Sequence, residues 1–218
     1  MTTDLITVTP DTPLVQARDL LREKNIKQLP VVDKKGSLVG ILTDRDIKQA
    51  WASPATTLSI YELTYVLQKL TVESVMVKEL ITISPSATIE RAASVLHDRK
   101  IGSLPVIEGD KLVGIITSTD LMEVLLDGLG IKEESGRLVV LVKDRIGVLA
   151  DVCTLLKDAN ISIVSMITLP VHQYPDIHEL VMRVSSGKRD AAVDCLTQAG
   201  YKVITEYKKD LEPYLPSQ

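Results

Sequence analysis

The sequence has few aromatic residues, few cysteines and no excess of positive charge. Its 218 residues include no phenylalanine, one tryptophan and two cysteines. Cys153 and Cys195 are isolated rather than spaced as a CxxC pair, which indicates two reduced thiols rather than a disulfide framework. The three histidines share no ligand spacing. The sequence therefore predicts neither a structural disulfide nor a metal centre.

Two further absences limit the expected partners. Nucleic-acid binding needs clustered Lys and Arg, whereas this chain has a net charge of −4, so no nucleic-acid partner is expected. No apolar run approaches the roughly 20 residues that span a bilayer. The N-terminus has no basic segment followed by an apolar one, so no secretory signal is expected. These patterns predict a cytoplasmic protein without a membrane partner.

The N-terminal half of the chain contains the same pattern twice. Residues 26–47 read IKQLPVVDKKGSLVGILTDRDI, and residues 101–121 read IGSLPVIEGDKLVGIITSTDL. Pro30 and Pro105 are 75 positions apart, and the offset becomes 74 after a one-residue deletion in the following loop. Such a repeat predicts two copies of one supersecondary unit, each needing the other to bury its apolar face. It also predicts a cleft between the copies, lined by equivalent residues from both.

Each copy is predicted to contain a leading strand, a helix, two paired strands and a closing helix. A loop over residues 53–57 and a helix over 58–70 are predicted between the copies. Residues 71–76 are predicted to open the second copy, and their counterpart would precede Met1. The natural protein is therefore expected to start a few residues earlier, or to have a trimmed first copy. The predicted strands are 5–8, 29–32 and 38–42 in the first copy, and 80–83, 104–107 and 112–116 in the second.

Both copies end in Gly-aliphatic-aliphatic-Thr-x-x-Asp, at residues 40–46 and 114–120. A strand that runs into a helix presents free backbone N–H groups and a hydroxyl, which suit a phosphate. The carboxylate one turn later suits the hydroxyls of a ribose, and Arg45 adds a charge that suits phosphate. The same spacing is also that of a helix cap, in which the hydroxyl satisfies helix N–H groups. Spacing alone leaves both interpretations open.

The two copies resemble a tandem pair of cystathionine-β-synthase (CBS) motifs, a module that binds adenine nucleotides in many regulators. The resemblance covers residues 1–126 and rests on LPVVD…GILTDRD and LPVI…GIITSTD. It implies that the Thr and Asp of each copy bind phosphate and ribose, while aliphatic side chains and backbone hold the adenine of AMP, ADP or ATP. The residues implied are Thr7, Ile26, Lys27, Ile41, Thr43, Arg45 and Asp46 in the first copy, and Thr82, Ile101, Gly102, Ile115, Thr117, Thr119 and Asp120 in the second.

The pattern changes in the C-terminal part of the chain. Residues 127–135 are polar and contain glycine, which predicts a linker. Residues 136–208 then predict the order βαββαβ, with strands at 136–142, 161–169, 177–184 and 201–206. Residues 209–218 remain as a C-terminal tail.

This C-terminal segment resembles an ACT domain, through the DRIGVL sequence after the first strand and Asn160-Ile161 before the second. In that family the glycine loop and the Asn often bind an amino acid at an interface between two domains. The residues implied for that ligand are Asp144, Gly147, Val148, Asn160 and Ile161. The alternative is structural: Asp144 caps the helix, and Asn160 closes it in a left-handed conformation.

A CBS pair followed by an ACT domain resembles the acetoin-utilisation B protein family. The fold class expected is α/β (α+β): a tandem CBS pair, or Bateman module, with its first motif over 1–70 and its second over 71–126, followed by a ferredoxin-like ACT domain. The resemblance implies a cytosolic regulator that senses adenine nucleotide, with an amino acid as a further ligand. It also implies a homodimer that acts on a downstream protein the sequence does not name. The alternative is a dimerising scaffold without a physiological ligand. No nucleophile–base pair or dinucleotide-type glycine motif indicates an enzyme.

Overall fold

A computed structural model describes residues 1–50, 69–131 and 134–216, in two compact units, Met1–Leu121 and Met122–Gln218. The predicted loop over 53–57 and nearly all of the predicted helix over 58–70 lie outside the described residues. None of the helices in the described ranges has both the length and the apolar character needed to cross a membrane.

The two copies of the repeat have the same architecture. Each has an amphipathic helix, a two-stranded antiparallel sheet and a closing helix that begins directly after the second strand. The predicted paired strands are confirmed, each one or two residues longer than expected. The elements are α1 Leu14–Glu23, β1 Gln28–Val32, β2 Leu38–Thr43 and α2 Asp44–Ala50 in the first copy, and α3 Ile89–Arg99, β3 Ser103–Glu108, β4 Lys111–Thr117 and α4 Ser118–Gly128 in the second.

The leading strands predicted at 5–8 and 80–83 are reduced to single bridging residues. Val8 forms a parallel bridge with Val31, and Ile83 forms the equivalent bridge with Val106. In the described residues Val8 is the one member of 5–8 that pairs with a strand, and the chain turns directly after it, where the backbone N–H of Thr9 donates to Thr12 Oγ1 at 3.1 Å. An extended, pairing residue is therefore present in each predicted leading strand, but the predicted strand length was wrong.

The segments that precede these bridges are exchanged between the copies. Thr2 pairs with Ile115 of the second copy, and Val77, its equivalent 75 residues later, pairs with Ile41 of the first. Each pairing consists of two backbone hydrogen bonds of 2.9–3.0 Å. Gly114 and Gly40 precede the paired isoleucines, and the exchanged segments pass close to them. A Cβ on Gly40 would lie 2.5 Å from Met76 Sδ, and one on Gly114 would lie 2.9 Å from Met1 Sδ.

Residues 71–76, predicted to open the second copy, pack on the first copy instead, together with Leu70. Val72 is fully buried in the core that contains Leu14 and Ala17. Its backbone N–H donates to the carbonyl of Thr12 at 2.9 Å, and Leu14 N–H donates to the carbonyl of Leu70 at 2.9 Å. The segment therefore closes the first core before the chain continues to Val77.

The second unit has the predicted βαββαβ order, and its four strands form one antiparallel sheet in the order β6-β7-β5-β8. This is the ferredoxin-like arrangement expected from the sequence. The last strand has two residues, fewer than the six predicted at 201–206. The elements are β5 Ser135–Lys143, α5 Val148–Asp158, β6 Ile163–Pro170, β7 Ile177–Ser185, α6 Arg189–Gln198 and β8 Val203–Ile204.

Alternate side chains of β5 point to opposite faces of this sheet, and both faces are covered. Leu138, Val140 and Val142 face α5 and α6 in the main core of the unit. Val139 and Leu141 point to the opposite face, where residues of the tail pack against them. The tail predicted at 209–218 is therefore part of the packing as far as Leu215. The tail residues in contact are Leu211, Tyr214 and Leu215.

Candidate functional site

The Thr and Asp of the first repeated motif meet where β2 runs into α2. Thr43 donates twice to Asp46 Oδ2, from its hydroxyl at 2.6 Å and from its backbone N–H at 2.8 Å. In return the backbone N–H of Asp46 donates to Thr43 Oγ1 at 3.3 Å. Both side chains are half-buried. We call this arrangement the first Thr–Asp box.

The second copy forms the same arrangement with Thr117 and Asp120, the second Thr–Asp box. The hydroxyl and the backbone N–H of Thr117 donate to Asp120 Oδ2 at 2.6 and 2.7 Å. The backbone N–H of Asp120 donates to Thr117 Oγ1 at 3.2 Å. The two copies therefore agree to within about 0.1 Å in all three hydrogen bonds.

Each Thr–Asp box is a reciprocal helix cap, as the structural alternative expected. The capping bonds use only one carboxylate oxygen. Within the described residues, Oδ1 of Asp46 and Oδ1 of Asp120 accept no hydrogen bond. A carboxylate oxygen has lone pairs for hydroxyl donors, so capping and ligand binding are compatible at the same residue.

The predicted residue pair before Leu-Pro lies directly beside each box. In the first copy the carbonyl of Lys27 accepts the backbone N–H of Asp44 at 2.9 Å, and in the second the carbonyl of Gly102 accepts that of Ser118 at 3.1 Å. Asp44 and Ser118 were not predicted as site residues. Their only sequence signal is their place directly after the motif threonine, which the capping pattern marks as the start of the helix.

The other predicted adenine contacts lie at the edges of the same region. Ile26 and Ile101 are half-buried against their own cores. Ile41 and Ile115 are the residues whose backbones pair with the exchanged segments. Thr7 and Thr82 are exposed and directly precede the bridging residues.

A pocket of about 220 Å³ lies elsewhere in the second copy and contains none of the predicted nucleotide contacts. It is where residues 70–76 would lie if they packed on the second copy as they do on the first. Its lining consists mainly of Met1, Ile83, Pro85, Ile89, Ala92 and Val106.

The predicted amino-acid site of the second unit is divided between the two ends of one helix. Gly147, in a left-handed conformation with φ 87°, immediately precedes α5, and Asn160, with φ 53°, follows its end. The helix has 11 residues, which at roughly 1.5 Å each separate these two positions by about 17 Å. A single ligand therefore cannot contact both within one chain. Together they could form a site only across an interface between two copies.

The remaining residues predicted for the amino-acid ligand are held in contacts within the ACT-like unit. The side chains of Val148 and Ile161 are buried in the core, so only their backbone could reach a ligand. The expectation that Asp144 caps α5 is wrong, because Gly147 is the N-cap residue and no side chain caps it. Oδ1 of Asp144 lies instead 3.7 Å from Nδ1 of His178. The expected left-handed closure at Asn160 is confirmed.

Among the described residues, no group of three or more His, Cys, Asp and Glu side chains is placed to hold a metal ion.

Comparison with known families agrees with this architecture. The CBS-domain model matches residues 1–53 and 72–127, which together are half of the chain. The chain belongs to the CBS-domain family. The ACT-domain model matches residues 136–200, so the βαββαβ unit that follows the CBS pair is an ACT domain. The fold class expected from the sequence is confirmed.

Individual relatives support the same assignment. A CBS domain-containing protein of Dictyostelium discoideum is 34% identical over 127 residues, which cover 58% of this chain and 88% of that protein. A crystal structure of a Vibrio cholerae protein assigned to acetoin utilization is 30% identical with a TM-score of 0.51, covering 62% of this chain and 93% of that one. The resemblance to the acetoin-utilisation B family is thereby confirmed.

Enzymes also carry related segments. The inosine-5'-monophosphate dehydrogenase of Mycobacterium tuberculosis is 34% identical over 177 residues, which cover 79% of this chain and 30% of the dehydrogenase. This chain thus spans less than a third of that enzyme, and the likeness does not extend to the enzyme as a whole.

Proposed function

We propose that this protein is a regulatory ligand-binding protein, not a catalyst, whose CBS pair senses an adenine nucleotide. The observation that supports the proposal is the presence of two equivalent Thr–Asp boxes, each with one carboxylate oxygen outside the capping bonds. That oxygen would accept the hydroxyls of a ribose, and the neighbouring backbone and side chains would contact phosphate and base. AMP, ADP and ATP share the adenosine group that this arrangement would recognise.

The exchanged segments suggest how binding would be communicated. Ile41 and Ile115 are predicted adenine contacts, and their backbones also pair with segments of the other copy. A ligand that packs on these residues would favour one arrangement of the two copies over another. Binding would then shift a population of conformations, and a partner protein would respond to the favoured one.

The ACT domain would add a second input and the dimer contact. Because Gly147 and Asn160 lie at opposite ends of α5, we propose that an amino acid binds between the ACT domains of a homodimer. The role would be cytoplasmic and linked to acetoin utilisation through the resemblance to that family, with a downstream partner that is a protein.

The test is isothermal titration of nucleotide-stripped full-length protein with adenosine, AMP, ADP and ATP. We expect binding that Asp46→Ala/Asp120→Ala abolishes, since a lost hydrogen bond to a charged group costs about 1.5–3 kcal/mol at each site. Both changes also remove a helix cap. Thr88→Ala is the matched control, because Thr88 caps α3 away from the boxes by accepting the N–H of Arg91. Loss of binding in the control as well would show that the effect arises from destabilisation.

A dimerising scaffold without a ligand is the alternative function. It is favoured by the fact that the capping bonds already account for every described contact of the two carboxylates. Absence of heat with all four ligands, in protein that sedimentation shows to be a folded dimer, would establish this alternative over nucleotide sensing.

A further inference from the structure

The two Thr–Asp boxes have the same hydrogen bonds but differ in the charges around them. Lys27 and Arg45 are exposed cations beside the first box, and the equivalent positions in the second copy are Gly102 and Thr119. Since the backbones of the two copies correspond, this difference lies almost entirely in the side chains.

Backbone contacts place the two residues that carry these cations beside the first box. The carbonyl of Lys27 accepts the N–H of Asp44 at 2.9 Å, and Arg45 is the next residue in the chain, within the Thr–Asp box itself. In the described part of the chain, neither Lys27 nor Arg45 takes part in an ion pair. Asp44, by contrast, is paired with Lys48 one turn later in α2.

The net charge of five equivalent positions is therefore positive at the first box and negative at the second. Five equivalent positions carry three cations and two carboxylates in the first copy, and a single carboxylate in the second. The positions compared are Lys27, Asp44, Arg45, Asp46 and Lys48 with Gly102, Ser118, Thr119, Asp120 and Met122.

We propose that the first box binds an adenosine ligand with two or three phosphates, and the second box one with at most a single phosphate. The inference rests on the proposed nucleotide sensing and specifies the ligand class of each box. Each added phosphate brings negative charge, which Lys27 and Arg45 attract and which the lone Asp120 carboxylate repels. One protein would thus register both a polyphosphate and a less charged adenosine compound.

The experiment uses full-length proteins with one functional box. Asp120→Ala leaves the first box, and Asp46→Ala leaves the second. Titration with ATP and with adenosine gives the ratio of ATP affinity to adenosine affinity for each protein. We expect this ratio to be at least about tenfold higher for the first box. The preference should weaken as ionic strength rises, since these cations are exposed.

Exchange of the charges tests their role directly. In the protein that keeps the first box, Lys27→Gly/Arg45→Thr should lower ATP affinity about tenfold more than it lowers adenosine affinity. In the protein that keeps the second box, Gly102→Lys/Thr119→Arg should raise ATP affinity. The matched control is Lys34→Gly/Lys35→Thr, which removes two exposed cations from the β1–β2 turn at the opposite end of these strands.

The outcomes separate this inference from the proposed function. Adenosine binding with the same ATP-to-adenosine ratio at both boxes would overturn the charge assignment while nucleotide sensing stands. The same follows if the turn variant lowers ATP affinity as much as the box variant does. Failure of both one-box proteins to bind adenosine or ATP, while folded, would overturn the proposed function and this inference with it. Failure of only one of them would overturn this inference alone.

Discussion

In the first CBS copy Leu14 is fully buried, whereas its equivalent in the second copy, Ile89, is 38% exposed. The helices and strands correspond, so the difference comes from what covers them. Residues 70–76 cover the first core and insert Val72, while the second copy has a pocket of about 220 Å³ at the same place. Equal helices and strands thus have unequal coverage in the two copies, because Val72 of the segment between the copies packs in the first core.

Removal of the Val72 side chain should have the largest effect on this difference. Val72→Ala would leave a cavity in the closed core and lower the free energy of unfolding by about 2–3 kcal/mol. Urea unfolding followed by circular dichroism measures the change. Val77→Ala is the control, since Val77 directly follows this segment but is exposed, and it should cost less than about 0.5 kcal/mol. Equal costs for both variants would contradict the assignment of Val72 as the closing residue.

Enlargement of equivalent alanines should affect the two copies differently. Ala17 and Ala92 are both buried, but Ala92 also lines the pocket of the second copy. Ala17→Leu should destabilise the protein by about 1–3 kcal/mol through overpacking, and Ala92→Leu should change stability by less than about 0.5 kcal/mol. Thermal and urea unfolding of the two variants test this difference. A similar loss in both would mean that the second core is as tightly filled as the first.

Alanine substitution of the two glycines at the exchanged segments should lower stability by amounts that differ less. Gly40→Ala would meet Met76 Sδ, which packs against the first core, whereas Gly114→Ala would meet Met1, which is 56% exposed and can move away. We expect the free energy of unfolding to fall by about 1 kcal/mol for Gly40→Ala and by about 0.3 kcal/mol for Gly114→Ala. Denaturant midpoints measured side by side decide the order, and a larger loss at Gly114 would reverse the interpretation.

The smallest difference concerns the starts of the first helix in each copy. A hydrogen bond from its own backbone N–H, and then one with the Thr88 side chain, hold the pKa of Glu90 below its ordinary value of 4.5. Because the folded pKa is lowered, its contribution to stability is present above the unfolded pKa. It is lost as the pH falls through the folded pKa.

Carboxyl-carbon NMR titration of Glu90 measures this pKa. In Thr88→Ala the pKa should move up towards 4.5, because one of the two hydrogen bonds is lost. The helix of the first copy has no such group, since α1 starts after Pro13 without a side-chain cap and has no acidic residue in its first turn. A pKa for Glu90 at its ordinary value in the unaltered protein would contradict the hydrogen-bonding assignment.

Local features were predicted well where a local pattern determines them. The 3.6-residue spacing of Leu14, Ala17 and Leu21 places one face of α1 in the core, as expected from sequence. The Thr–Asp boxes also follow from spacing, because a residue at a helix start and the third one after it are necessarily neighbours. The ligand roles of the site residues implied by the resemblance stay predictions.

Other features depend on contacts that sequence spacing does not specify. Of the predicted leading strands only Val8 and Ile83 pair in the described residues, with Val31 and Val106, and the spacing of apolar residues does not specify how far such pairing extends. Asp144 does not cap α5 because the chain takes a left-handed turn at Gly147 first. Residues 71–76 resemble the start of a copy, yet which copy Val72 enters is decided by the path of the folded chain.

By itself, the sequence determined the repeat, the order of helices and strands, the ferredoxin-like unit and the two pairs of Thr and Asp. These follow from periodicity and from spacings of three or four residues, which act within a single element. Only the tertiary structure decided that Thr2 and Val77 pair across the copies, that Val72 closes the first core, and that Gly147 and Asn160 lie at opposite ends of α5. The physical reason is that each of these depends on which distant surfaces are available to bury apolar area or to complete backbone hydrogen bonds, and residue spacing carries no record of such surfaces.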